Sequence, residues 1–224
     1  MPARPILGIV TIGQTPRPDL ERAFQAHAPG ATVLVRGALD GVSAMDMDEL
    51  AARPADYPLL VRLADGSTRE IALEAIHPLV SERARELAGL GAAAVVVGCA
   101  GGFPDVECGV PVLLPGRILP AVAAAIARSR RIGVVAPIRS QVPAALLKWS
   151  RDGFDPVVTW ASPYAYAEIA AACARMSDSS LSLVVLDCMG HDEGYARAFA
   201  AATGRTVLAA QSVTARLAGE LVRA

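Results

Sequence analysis

Val95-Val96-Val97-Gly98-Cys99-Ala100-Gly101 and Val184-Val185-Leu186-Asp187-Cys188-Met189-Gly190 are two versions of one segment. In each, an apolar run of strand length stops at a cysteine, and small residues follow within two positions. A short continuous run of branched aliphatic residues reads as a strand covered on both faces, the kind that builds parallel sheets. The likeness extends in both directions. Upstream, Leu7-Gly8-Ile9-Val10-Thr11 matches Ile132-Gly133-Val134-Val135-Ala136. Downstream of each cysteine comes a short strand, Val112-Leu113-Leu114 or Val207-Leu208-Ala209, and then a final Ala-rich helix. Hydrophobic strands can resemble one another by chance, but the preserved order of the four pieces argues against it. The chain therefore reads as two similar α/β halves, residues 1–130 and 131–224, with the last helix free to pack on the first half.

The intervening stretches have helical character. Helices are expected from Pro18 to Pro29-Gly30, over Ala44 to Ala52 behind a Ser43 cap, and from Pro78 to Leu90 with Gly91 as the stop. Further helices are expected over Pro120–Arg128, Val142–Arg151, Pro163–Met176, Glu193–Thr203 and Val213–Val222. Strands alternating with helices imply right-handed crossovers and a mostly parallel sheet covered on both sides. The first half alone carries an insertion near 58–73, where Leu59-Leu60-Val61 and Arg69 to Leu73 flank Asp65-Gly66. Asp-Gly suits the φ > 0 positions of a tight turn, so a hairpin is expected there.

Composition narrows the function. The 224 residues carry a net charge of −1, 53 % are apolar and 4 % aromatic. That balance suits a globular protein with a large core and argues against disorder. Lys and Arg are scattered and aromatic residues few, which argues against nucleic acid as a partner. No apolar run approaches the roughly 18 to 20 residues that span a bilayer, so no membrane partner is expected. The N-terminus lacks the design of a signal peptide, and a cytoplasmic location is the expectation. There Cys99, Cys108, Cys173 and Cys188 are free thiols. No Cys-x-x-Cys or His-x-x-x-His spacing indicates a metal. Lys148 is the only lysine and lies in a helix-like stretch, which argues against a pyridoxal Schiff base; no cofactor is expected.

In doubly wound sheets ligands bind beyond the carboxyl ends of the strands, where both Cys99 and Cys188 fall. A lone strand-end cysteine is usually packing; two in equivalent loops are harder to dismiss. Two thiols suit the removal of a proton from a carbon beside a carboxylate or carbonyl and its return to the opposite face. One must be thiolate while the other is thiol. The backbone of Ala100, Gly101 and Gly102, and of Met189 and Gly190, offers amides for the developing enolate. Arg17 can clamp a carboxylate or be a solvated loop arginine, and Gln14 and Thr15 can add neutral hydrogen bonds from the same turn. Arg117 can bind substrate or cap a helix. His191 can polarise the Cys188 loop or serve structure alone. Asp187 is expected to point away from Cys188, as alternate strand positions do. Cys108 and Cys173 read as structural, and Tyr164 and Tyr166 as candidates to line the site.

Thr11-Ile12-Gly13 with Pro16-Arg17, Pro115-Gly116-Arg117-Ile118-Leu119-Pro120, and Leu186-Asp187-Cys188-Met189-Gly190 give the whole chain a resemblance to the AroM family, which is similar to the aspartate/glutamate/hydantoin racemase superfamily. The resemblance implies two pseudo-symmetric Rossmann-like domains with the active site between them. The superfamily includes amino-acid racemases, hydantoin racemases, maleate isomerase and arylmalonate decarboxylase. The cysteines of the amino-acid racemases are commonly followed by Asn-Thr, Thr-His or Thr-Glu, whereas Ala100-Gly101-Gly102 and Met189-Gly190-His191 follow here. Gly98 to Asp105 looks closer to the hydantoin-racemase loop. The expectation is a cofactor-independent racemase or epimerase of a small carboxylate or cyclic amide, working through Cys99 and Cys188. A cysteine-dependent decarboxylase or isomerase and a non-catalytic small-molecule binder are the alternatives. A homodimer is the default assembly.

Overall fold

The computed structural model describes residues 4–223. In chain order the elements are β1 (Ile6–Thr11), α1 (Pro18–Gln25), β2 (Thr32–Gly37), α2 (Ala44–Ala51), β3 (Pro58–Arg62), β4 (Thr68–Ala72), α3 (Leu73–Gly89), β5 (Ala92–Gly98) and β6 (Val112–Leu113). There follow α4 (Pro115–Ile126), β7 (Arg131–Ala136), α5 (Val142–Arg151), β8 (Asp155–Trp160), α6 (Ile169–Met176), β9 (Val184–Leu186), α7 (Glu193–Thr203), β10 (Val207–Ala209) and α8 (Ala210–Leu221). They form two compact units. The first comprises the chain up to Cys99, Phe103–Pro115 and the residues from Thr214 on; the second comprises Ala100–Gly102 and Gly116–Val213.

Each unit is built on a four-stranded parallel sheet. The first has the order β2-β1-β5-β6 and the second β10-β9-β7-β8. With the β3–β4 hairpin set aside, both read second-first-third-fourth strand, so the sequence repeat is a topological repeat. The register agrees. Gly8 pairs with Val95 in one sheet and Gly133 with Val184 in the other. Both glycines exist for close packing: a Cβ on Gly8 would lie 3.1 Å from Leu87 Cβ of α3, and one on Gly133 would lie 2.5 Å from Met176 Sδ of α6. Each unit thus presses the helix before its third strand onto its first strand at the same point.

The first core gathers Val10, Leu59, Val61, Ile71, Ile76, Val80, Leu87, Val95 and Val97. The second gathers Val135, Ala172, Cys173, Met176, Leu186, Tyr195 and Phe199. Within the first unit the hairpin lies hard against the turn after β1. A Cβ on Gly13 would fall 2.1 Å from Arg62 O, and Gln14 N donates to that same carbonyl at 2.9 Å.

Several boundaries differ from those expected. α3 begins at Leu73 and encloses Pro78, and α4 begins at Pro115 and encloses Pro120. Each interior proline is the sixth helical residue, where its missing N–H forfeits a single intrahelical bond. In α3 the buried stripe Leu73, Ile76, Val80, Ala84 and Leu87 outweighs that loss. The Asp65-Gly66 turn has positive φ only at Gly66 (84°), because Leu63 N bonds Ser67 O and Gly66 N bonds Leu63 O. The loop is thus a turn with an added glycine bulge instead of the two-residue form. The expected helix from Pro163 is a turn and a short 3₁₀ segment before α6 starts at Ile169. Pro163 is buried and Ser162 N is held by Glu168 Oε2 at 2.7 Å, which folds the segment back on itself.

Candidate functional site

In the first unit the carboxyl ends of β1 and β5 lie side by side, with Thr11 paired to Gly98. This is the point at which strand order reverses, and Cys99 is the residue just past it. Cys99 is 6 % exposed and its N–H donates to Val97 O at 2.8 Å. Arg17 lies at the same edge. It is a buried residue, not a solvated one: its Nη1 donates to Thr11 Oγ1 at 2.9 Å, and Nε and Nη2 grip the two Asp19 oxygens at 2.9 and 2.7 Å. Burial pushes the Asp19 carboxyl up, but the hydrogen bonds and charge of Arg17 outweigh it and leave the group below its ordinary value. Gln14 bridges Leu39 O and Ala64 N, while the N–H and hydroxyl of Thr15 both donate to Asp40. Gly37 N completes the set on Asp40. Asp40 therefore organises the turn that presents Gln14, Thr15 and Arg17.

In the second unit Cys188 sits one residue further than Asp187, whose N–H pairs with Val135 O. By register Asp187 is the counterpart of Gly98, and Cys188 is the counterpart of Cys99. Cys188 is half-buried, and Gly190 N points at its sulfur at 3.3 Å. An N–H aimed at sulfur favours the thiolate. Gly190 admits no side chain, since a Cβ there would lie 2.8 Å from Pro163 Cγ and 3.2 Å from the Tyr164 hydroxyl. Met189 is buried, and its carbonyl accepts from Gln211 Nε2 at 2.9 Å. His191 closes the turn with its N–H on Cys188 O at 3.2 Å. Its ring is fully buried, Nε2 donates to Ala161 O at 3.0 Å, and the ring lies 4.5 Å from that of Tyr195. Burial pushes the imidazole down to about 4, against the Ala161 bond and the charges of Asp187 and Asp192. His191 is accordingly neutral, with a bare Nδ1 that has no hydrogen-bond partner.

Ala100, Gly101 and Gly102 belong to this unit. Gly101 O lies where a Cβ on Gly116 would come within 2.0 Å, so the start of α4 rests on the loop that follows Cys99. Arg117, the next residue, is exposed. Asp187 points to α5, where its carboxylate meets Lys148 Nζ at 2.9 Å and Trp149 Nε1 at 2.8 Å. Cys173 is buried in the core of this unit, and burial pushes its thiol up. Cys108, in the first unit, is half-buried with its thiol directed to Val110 O at 3.8 Å. The Tyr166 side chain lies outside the described residues. Among the described residues, no cluster of three or more His, Cys, Asp or Glu could hold a metal ion, and no helix is long and apolar enough to cross a membrane.

The model of the AroM protein family matches residues 7–222. The chain belongs to the AroM family. No curated protein matches this AroM sequence. Among solved structures it is similar to an arylmalonate decarboxylase (15 % identity, TM-score 0.62, covering 98 % of this chain and 93 % of that one). It is similar also to the allantoin racemase from Klebsiella pneumoniae (15 %, TM-score 0.64, 97 % and 87 %). A third is the glutamate racemase from Aquifex pyrophilus (15 %, TM-score 0.60, 97 % and 84 %). At such identities the likeness is one of fold. The two-domain racemase fold expected from the sequence is the fold of this AroM protein.

Proposed function

We propose that this AroM protein is a cofactor-independent racemase or epimerase of a small carboxylate or cyclic amide, with Cys99 and Cys188 as its paired acid and base. The observation that carries the reading is positional equivalence. In two sheets of one topology, each thiol follows the third strand at the point where strand order reverses. A carbon acid flanked by a carbonyl yields its proton to a thiolate on one side, and the enolate takes a proton from a thiol on the other. No bond other than C–H and S–H changes, and the two sulfurs exchange states with each turnover. Backbone N–H groups at Ala100–Gly102 and Met189 are the donors for the enolate oxygen, while the Gly190 N–H serves the Cys188 sulfur. The resemblance in fold to allantoin and glutamate racemases supports this chemistry.

A second reading, a decarboxylase in which one thiol protonates the enolate, is favoured by the unequal settings of the two sulfurs. Cys188 is half-buried with an N–H directed at it, whereas Cys99 is 6 % exposed. Solvent-deuterium exchange into a panel of small acids, hydantoins and allantoin, with the wild type, Cys99→Ala and Cys188→Ala, tests both. The racemase reading predicts exchange that falls by roughly 10²–10⁴-fold in each variant. Loss of carbon dioxide from a malonate-type acid, surviving in one variant, supports the second reading. Ligand binding with no exchange at all contradicts both and leaves a binding protein.

A further inference from the structure

We infer that Lys148 is a positioning residue for the thiol segments, setting through Asp187 the charge felt by Cys188. Lys148 is the only lysine in the chain, and its side chain is 8 % exposed. Its ammonium has three bonds at short range: Ala100 O at 2.6 Å, Asp187 Oδ1 at 2.9 Å and Asp187 Oδ2 at 3.0 Å. One side chain of α5 thus holds the residue that follows Cys99 and the residue that precedes Cys188. The Asp187 side chain is 4 % exposed, and Trp149 Nε1, from the next residue of α5, takes its remaining reach at 2.8 Å. The ammonium also lies 5.1 Å from the centre of the Trp149 ring.

A buried salt bridge is weak evidence for stability, because desolvating both ions opposes their attraction. Well-packed hydrophobic residues of similar volume often replace such a pair at no cost. The arrangement makes better sense as electrostatics at a reactive sulfur. A carboxylate one residue from Cys188 disfavours the thiolate, and an ammonium on that carboxylate cancels the effect. Among the described residues, the titratable groups near this segment include Asp152 at the end of α5, Tyr164 from the loop after β8, Tyr195 against the His191 ring, and His191 and Asp192 in its own loop. His191 is neutral, and Lys148 brings a positive charge into direct contact with the segment at Asp187. Asp152 feels the pair as well: burial raises it, the Lys148 charge lowers it and the Asp187 charge raises it.

This inference rests on the reading of Cys188 as an acid–base thiol, but its test needs no substrate. Iodoacetamide alkylation of Cys188 is followed by peptide mass spectrometry over a pH series in the full-length protein. Lys148→Met leaves the carboxylate uncompensated and moves the alkylation midpoint up by about one pH unit; Asp187→Asn leaves the ammonium uncompensated and moves it down by about as much. The double variant, with no charge at either position, returns towards the wild type. A purely architectural role disturbs the segment in one sense whichever partner is lost. Midpoints that stay put, or move in the same direction in both single variants, overturn the inference. Should Lys148→Met fail to fold, the comparison of Asp187→Asn with the double variant decides: equal midpoints overturn it, separated ones support it. Failure here leaves the exchange assay of the two cysteines standing, and failure there leaves this measurement interpretable.

Discussion

His191 follows Cys188 by three residues, yet its ring is fully buried with one nitrogen on Ala161 O. Its position beside the cysteine is plain in the sequence, but its burial is not, because Ala161 is 30 residues away. Folding lowers the imidazole from 6.5 to about 4, so between those values the unfolded chain binds the extra proton. Stability is therefore whole above pH 6.5 and declines as acid is added through that window, by up to about 3 kcal/mol. Asp152, raised by burial, works in the opposite sense and trims the effect. Urea midpoints should fall between pH 7 and pH 5 in the wild type and change much less in His191→Gln. Gly190 makes a second prediction. A methyl group there meets Pro163 at 2.8 Å, so Gly190→Ala should cost about 1–3 kcal/mol and slow Cys188 alkylation at neutral pH. An unaltered alkylation rate would show that the Gly190 N–H does not support the sulfur. Arg17 illustrates what a sequence conceals: its Asp19 partner is two residues away and visible, but its burial against Thr11 depends on the close of the whole β1 turn.

Strands are legible because short β-branched runs such as Val95-Val96-Val97, closed by Gly98, have the length and composition of a covered strand, and α5 and α7 are legible because their ends coincide with local signals. The N-cap Asp192 accepts from Tyr195 N, and Gly204 takes φ 64° at the close of α7. Proline is a start signal, so the sequence places the starts of α3 and α4 at Pro78 and Pro120, whereas the helices begin five residues earlier. Only the tertiary stripe that buries Leu73 and Ile76 reveals the extra turn. The hairpin is legible in the sequence, but not its purpose, which is to lock the turn after β1. Gly13→Ala, with its methyl 2.1 Å from Arg62 O, must push β3 away and should cost about 2–3 kcal/mol. Denaturation of the purified variant checks this; a cost below about 0.5 kcal/mol would mean that the hairpin is loosely held.

The twofold plan of the chain is legible in the sequence, since Gly8 and Gly133, and Cys99 and Cys188, recur in the same order. The exact partition is not. The units divide at Pro115 and Gly116, and the first is completed by residues from Thr214 on, a recruitment no local signal announces. In the first unit Gly219 of α8 lies against the turn that follows α1, where a Cβ would sit 2.2 Å from His27 O. Gly219→Val should therefore speed hydrogen exchange in β1, β2 and β5 while β7 and β9 keep their protection. Uniform acceleration would show that the units do not respond separately.

The pairing of Cys99 with Cys188 is tested most directly by the fate of the label at early times. One enantiomer of the best substrate is placed in deuterium oxide with the wild-type protein. Product and residual substrate are separated on a chiral phase and weighed by mass. Two thiols working from opposite faces predict that the inverted product carries one deuterium from the first time point while the remaining substrate stays unlabelled. Deuterium entering both enantiomers equally from the start would mean that one group does all the proton transfer, and the pairing would be wrong.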